Sequence, residues 1–165
     1  MSMKFSNSKD FLNKLNTKVF AFISIHMAGF LVLYIMQENG TLKPLLEGDA
    51  RKTADTASLV LLVVFFVLGY MAHAKEIKKS LEVEDLREKL LIANTATIKK
   101  YIYFTVGALC LIAGFAVSAQ PYYAGVYALT LIVVSTSIPS AHRIARKLKL
   151  DREQGLKVLD NDPID

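Results

Sequence analysis

The chain has 165 residues, a net charge of +5 and a sequence pI of about 9.3, and 53% of it is hydrophobic. That length suits one domain, and the single cysteine, Cys110, rules out an intrachain disulfide and any CxxC metal site. The apolar residues stand in long uncharged blocks with the charges gathered between them, which excludes an ordinary soluble fold and makes the excess of bases a feature of loops facing anionic lipid rather than a sign of nucleic acid.

In chain order, Ser8 to Thr17 sets Phe11, Leu12 and Leu15 beside Lys9 and Lys14 and reads as a short interfacial helix. Residues 19–37 form the first uncharged run, 19 residues long. A membrane crossing needs about 20 residues at 1.5 Å each. Eighteen residues precede the run, and it exceeds the apolar core of a cleaved signal peptide. The loop up to Asp55 holds Gly40, Pro44 and Gly48 around Leu42, Leu45 and Leu46, with Thr53 or Asp55 as the expected cap of the next helix.

The second run, 56–74, is again 19 residues and is bulky all round from Val60 to Leu68, so a broad face toward lipid or a partner is expected. From Glu82 onward, Leu86, Leu90, Ala93 and Thr97 keep helical spacing into the third run, and residues 75–100 are expected to form a cytoplasmic helical hairpin. The third uncharged stretch, residues 101–142, is 42 residues long, enough for two crossings (101–118 and 122–142) with a tight turn at Ala119-Gln120-Pro121. Pro139 should bend the fourth helix, with Ser135, Thr136 and Ser137 covering the freed carbonyls. Arg143, Arg146, Lys147 and Lys149 then supply bases for anionic headgroups. Gly155 is expected to end that helix, leaving 150–165 as a flexible tail.

Seventeen Lys and Arg fall in the N-terminal arm, the 75–100 segment and the tail, against three (Lys43, Arg51, Lys52) in the first loop and none in the Pro121 turn. The positive-inside rule places the seventeen in the cytoplasm. The fold class expected is therefore an all-α membrane protein, with four transmembrane helices as two hairpins and both termini inside. The residues 1–165 would make one such domain, in a bacterial cytoplasmic membrane. Helices in lipid gain little from hydrophobicity against one another, so small residues mark expected close packing. These are Gly107, Cys110, Gly114 and Ser118 in the third span, Ala21, Ser24 and Ala28 in the first, and Gly125, Ala128 and Ser135 in the fourth.

No Asp, Glu, Lys or Arg lies within a span, against ion-coupled carriers and intramembrane acid–base enzymes, and no phosphate loop, nucleophile elbow or HExxH occurs. His73 and His142, at matching depth, are the haem candidates, with His26 deeper. A metal on His73 and Glu76 would have only two ligands, and neither cofactor nor metal is expected. The four-span layout is similar to that of claudin- and tetraspanin-like proteins, but their paired outer-loop cysteines are missing, and nothing carries over from them. The expectation is a non-enzymatic membrane protein acting through other subunits or self-association. An oligomeric small-molecule channel or transporter and a haem or quinone electron carrier are the alternatives.

Overall fold

The computed structural model describes residues 4–164; the expectations for residues 1–3 and 165 lie outside the described residues. The chain is all-helical, with α1 (Ser8–Glu38), α2 (Gly48–Ser80), α3 (Leu86–Ser118), α4 (Tyr122–Thr136), α5 (Ala141–Lys147) and α6 (Arg152–Asp160). Among the described residues the only β pairing is an isolated bridge between Asn7 and Pro163.

Helices α1, α2 and α3 are long and apolar enough to cross a membrane, and α4 with α5 forms a fourth candidate if the bent pair counts as one span. The chain is thus a multi-pass membrane protein. Each long helix outruns its apolar block, because the flanking polar segments share its helical register. The arm at Ser8 and the first apolar block are one unbroken helix, and α2 starts at Gly48, so Thr53 and Asp55 lie inside it and cap nothing. Thr53 bonds back to the Asp49 carbonyl instead (2.9 Å).

At Pro139 the expected bend is a full break, with α4 and α5 differing by 73°. The Ser137 and Thr136 hydroxyls both bond the Val133 carbonyl (3.0 Å each), and the Ser140 hydroxyl accepts from the Arg143 N–H to open α5. These hydroxyls occupy carbonyls that a proline leaves without their normal partner.

The contacts divide the chain into two compact units. Unit 1 is residues 1–20, 70–101 and 138–165; unit 2 is residues 21–69 and 102–137. Unit 1 has a water-soluble kind of core: Phe11 and Leu15 of α1, Leu86, Leu90 and Ala93 of α3, Ile144 and Leu148 at the α5 end, Val158 of α6, and Phe5 and Ile164 from the chain ends. The ends clasp each other. The Ile164 N–H donates to the Ser6 carbonyl (3.0 Å), Ser8 Oγ donates to the Val158 carbonyl (2.7 Å), and the Arg87 guanidinium donates to the Ile164 carbonyl (3.1 Å) while lying over the Phe5 ring (4.8 Å).

The segment 150–165, expected to be flexible, is therefore ordered through α6, and Gly155 sits inside that helix rather than ending α5. Asp151 caps α6 by accepting from the Gln154 N–H (2.8 Å), Asn161 closes it in the left-handed conformation (φ 64°), and Val158 is 1% exposed. The short apolar spacing of α6, drowned in acids and bases, gave its burial no visible signature in the sequence.

Unit 2 packs around the second half of α3, half of whose apolar window is buried against 17% for α1 and 22% for α2. Its core joins Phe30, Leu62, Leu111, Ile112, Phe115, Tyr123 and Tyr127. Aromatic rings form the seam: Phe30 stacks on Tyr127 (3.8 Å, 7°) and on Phe115 (5.6 Å), which in turn stacks on Tyr123 (5.6 Å). Such stacked pairs add to plain area burial. The loop after α1 is pinned to the end of α3, where the Leu45 N–H donates to the Val117 carbonyl (2.8 Å) and the Gln37 amide to the Ala119 carbonyl (2.9 Å).

Candidate functional site

Of the three small-residue stripes, the α3 stripe is the one that packs. A methyl on Gly107 would stand 3.1 Å from Phe65 Cβ and 3.3 Å from the Leu62 carbonyl. At Gly114 it would stand 2.5 Å from Ser58 Cβ and 2.6 Å from the Tyr123 hydroxyl, and would also strike Ser58 Oγ. These two glycines let α2 approach α3. Ser118 is fully buried and Cys110 half-buried.

The other two stripes face away. Ala21, Ser24 and Ala28 are exposed, as are Gly125, Ala128 and Ser135. The packed faces carry His26 and Phe30 on α1, and Tyr123, Tyr127, Thr130 and Val134 on α4. Small residues mark close approach only where the facing helix also comes near; here ring stacking sets the spacing on the opposite faces.

Two polar arrangements lie inside unit 2. The Tyr123 hydroxyl donates to Asp55 Oδ1 (2.9 Å) and lies 2.8 Å from Ser58 Oγ, which also reaches the Asp55 carbonyl (2.9 Å). His26, 1% exposed, joins its Nδ1 to the Tyr127 hydroxyl (2.8 Å). In an apolar surround each bond removes the cost of a buried polar atom without a partner. Sequence reading passed over both, because the partners stand 65 to 101 residues apart. The one available signal was tyrosine at positions 123 and 127, one helical turn apart.

The histidines are not brought together. His26 belongs to unit 2 and is committed to Tyr127. His73 and His142 both belong to unit 1, but His73 is buried with Nε2 3.1 Å from Lys147 Nζ, while His142 is exposed. Glu76, the second residue of the weighed metal pair, is held by Lys79 (2.9 Å) and Lys99 (2.5 Å). Those two hydrogen bonds, Lys99 first, hold its carboxyl down at about 2. Among the described residues no three His, Cys, Asp or Glu side chains gather as a metal site would need.

Of the four tail bases, Arg143, Arg146 and Lys147 lie on α5, and Lys149 follows it in a left-handed conformation (φ 48°); all four are exposed. A cavity of about 300 Å³ in unit 1 is lined by Glu84, Asp85, Asp151, Glu153, Gln154 and Lys157 over Leu86, Pro163 and Ile164. Its acids have structural tasks. Asp85 accepts from the Glu88 N–H to cap α3 (2.7 Å), Asp151 caps α6, and Glu153 pairs with Lys157 (3.0 Å).

The described arrangement thus offers packing seams, a folded polar head and exposed apolar helix faces, with no assembled nucleophile, acid–base pair or metal set among the described residues. No family model, curated protein or solved structure matches the chain.

Proposed function

We propose that the chain is a four-span protein of a bacterial cytoplasmic membrane, with both termini inside, that works as an accessory or interaction subunit by docking other proteins on unit 1. The observation that carries the reading is the make-up of unit 1: it is a folded head assembled from the N-terminal arm, the α2–α3 turn and the C-terminal segment. These are the three segments that hold the seventeen bases expected inside.

An even number of crossings follows from the clasp. The Asn7–Pro163 bridge requires both ends on one side of the bilayer, which three crossings cannot provide. Helix α4, with 15 residues, is about 22 Å long at 1.5 Å per residue, short of a hydrocarbon layer of about 30 Å. The break at Pro139 and the α5 bases at its end suit a fourth crossing that finishes in the headgroup region. The exposed apolar faces of α1 (Ile25, Val32, Ile35) and α2 (Val60, Val63, Val67) supply lipid contact or a partner helix.

Two experiments test the reading. With Cys110 replaced by serine, a cysteine at Lys43 should react with a membrane-impermeant thiol reagent from outside intact cells, and one at Lys149 only after lysis. Crosslinking and pull-down from native membranes should bring along a defined partner. Recovery as a lone monomer, with nothing in stoichiometric company, overturns the docking role.

A further inference from the structure

Four nitrogen-bearing side chains of unit 1 converge where the apolar blocks end. Lys100 stands just before the third block, His73 at the end of the second, and Arg143 and Lys147 just beyond the fourth. Lys100 is 2% exposed, with its ammonium 5.1 Å from the Tyr101 ring centre and 5.9 Å from that of Tyr70. Cation–π contact replaces part of the lost hydration but brings no negative charge.

Lys147 Nζ lies 3.1 Å from His73 Nε2. An ammonium has no lone pair, so Nε2 accepts and the ring carries its proton on Nδ1. That Nδ1 is closed off from solvent, on the side of the Ala96 backbone, without a well-formed hydrogen bond. Burial, then Lys147 and Arg143, brings the Lys100 ammonium down to about 8, and Lys147 is lowered by burial, then by Arg143 and Arg146. Each of these bases is thus pressed by its neighbours. Glu76, three residues on from His73, already serves Lys79 and Lys99. A fork of guanidinium donors beside two ammonium groups suits an anion with several oxygens at tetrahedral spacing.

We propose that His73, Lys100, Arg143 and Lys147 form a binding site for a phosphate group, borne by an acidic phospholipid headgroup or present as free phosphate. The position at the ends of three apolar blocks is the depth of headgroup phosphates, and the lipid form rests on the membrane reading above. The free form does not.

The test uses the full chain purified in a neutral detergent, titrated separately with inorganic phosphate, with short-chain phosphatidylglycerol and with phosphatidylcholine of the same chain length. Binding is read by native mass spectrometry. Saturable binding of phosphatidylglycerol or phosphate is expected, weakened at least fivefold by Lys147→Gln and by Arg143→Gln. Lys149→Gln removes the same charge two residues away and should stay within twofold. Both cluster variants change exposed side chains, and an unchanged circular dichroism spectrum confirms that they fold.

Phosphatidylglycerol bound without inorganic phosphate assigns the lipid source, and inorganic phosphate bound alone assigns the free anion. An equal loss in Lys149→Gln reduces the effect to diffuse charge attraction and overturns the site. So does the absence of saturable binding by either probe. Recovery in the membrane fraction on cell lysis is a separate readout, so a membrane protein that binds neither probe sinks the site and leaves the membrane reading standing.

Discussion

Gly114→Ala is the sharpest probe of how unit 2 is held together. The added methyl would lie 2.5 Å from Ser58 Cβ and 2.6 Å from the Tyr123 hydroxyl. Carbon atoms settle at about 3.5–4.0 Å, so something must move by roughly 1 Å. Neither neighbour yields easily: Ser58 Cβ is fixed to the α2 backbone, and the Tyr123 ring is stacked on Phe115 and Tyr122. Overpacking of this kind costs about 1–3 kcal/mol. If Tyr123 swings away, its bonds to Asp55 and Ser58 go as well, at about 1 kcal/mol each. A total loss of about 2–4 kcal/mol is expected. Cys110 is the assay, being half-buried, the only cysteine and one turn before Gly114. Its reaction with a thiol reagent during denaturant titration in mild detergent reports unfolding of unit 2, and in Gly114→Ala the midpoint should fall. Ser58→Gly removes the colliding carbon, so the double variant should regain more than half the loss, a coupling that separate sites do not show. Gly125→Ala, with open space around the new methyl, is the control. A Gly114→Ala midpoint within about 0.5 kcal/mol of the parent, the usual range for surface changes, would refute the packing argument.

In unit 2, Tyr127→Phe strands the buried His26 Nδ1 and should cost about 1–3 kcal/mol, whereas adding His26→Leu should recover most of it; additive losses would count against a specific pair. In unit 1, Gly155→Ala falls inside α6 with nothing within 4 Å of the new methyl, and should raise head stability by about 0.5–1 kcal/mol in a thermal melt. The Glu76 carboxyl is lowered in the folded chain, so its pairing stabilises fully above the ordinary carboxylate value near 4.3 and is lost as pH falls through about 2. Glu76→Gln should therefore flatten the acid limb of the melting curve between about pH 4.5 and 2 and leave its shape above pH 5 alone. Removal of residues 151–165 strips Val158 and Ile164 from the core containing Phe5 and Phe11. A rise in hydrophobic-dye binding and faster proteolysis near Phe11 should follow; unchanged digestion would deny the clasp.

The membrane-crossing helices were legible because a helix in lipid leaves its record locally, as twenty or so residues without charge. The packed stripe on α3 was also legible, since Gly107 and Gly114 share a face with seven residues between them. The same rule misplaced Ala21, Ser24 and Ala28, because small size permits close approach but does not supply a neighbour. The head was half visible: Phe11 with Leu15, and Leu86 with Leu90, show helical apolar spacing, but nothing local says that α6 and Ile164 cover them. Partnerships such as His26 with Tyr127 depend on how separate spans meet, and no single window of sequence contains that.

The clasp between the chain ends also governs the order of manufacture. Ser8 and the Val158 carbonyl it bonds are 150 residues apart, and Ile164 closes on Ser6 at the very end of translation. During synthesis Phe5, Phe11 and Leu15 emerge first and stay uncovered while every later helix is made. The head is then a terminal event in biogenesis, sealed only by residues that leave the ribosome last. A chain stalled or clipped before α6 would carry its first apolar residues bare, a mark by which quality-control proteases distinguish unfinished copies from complete ones.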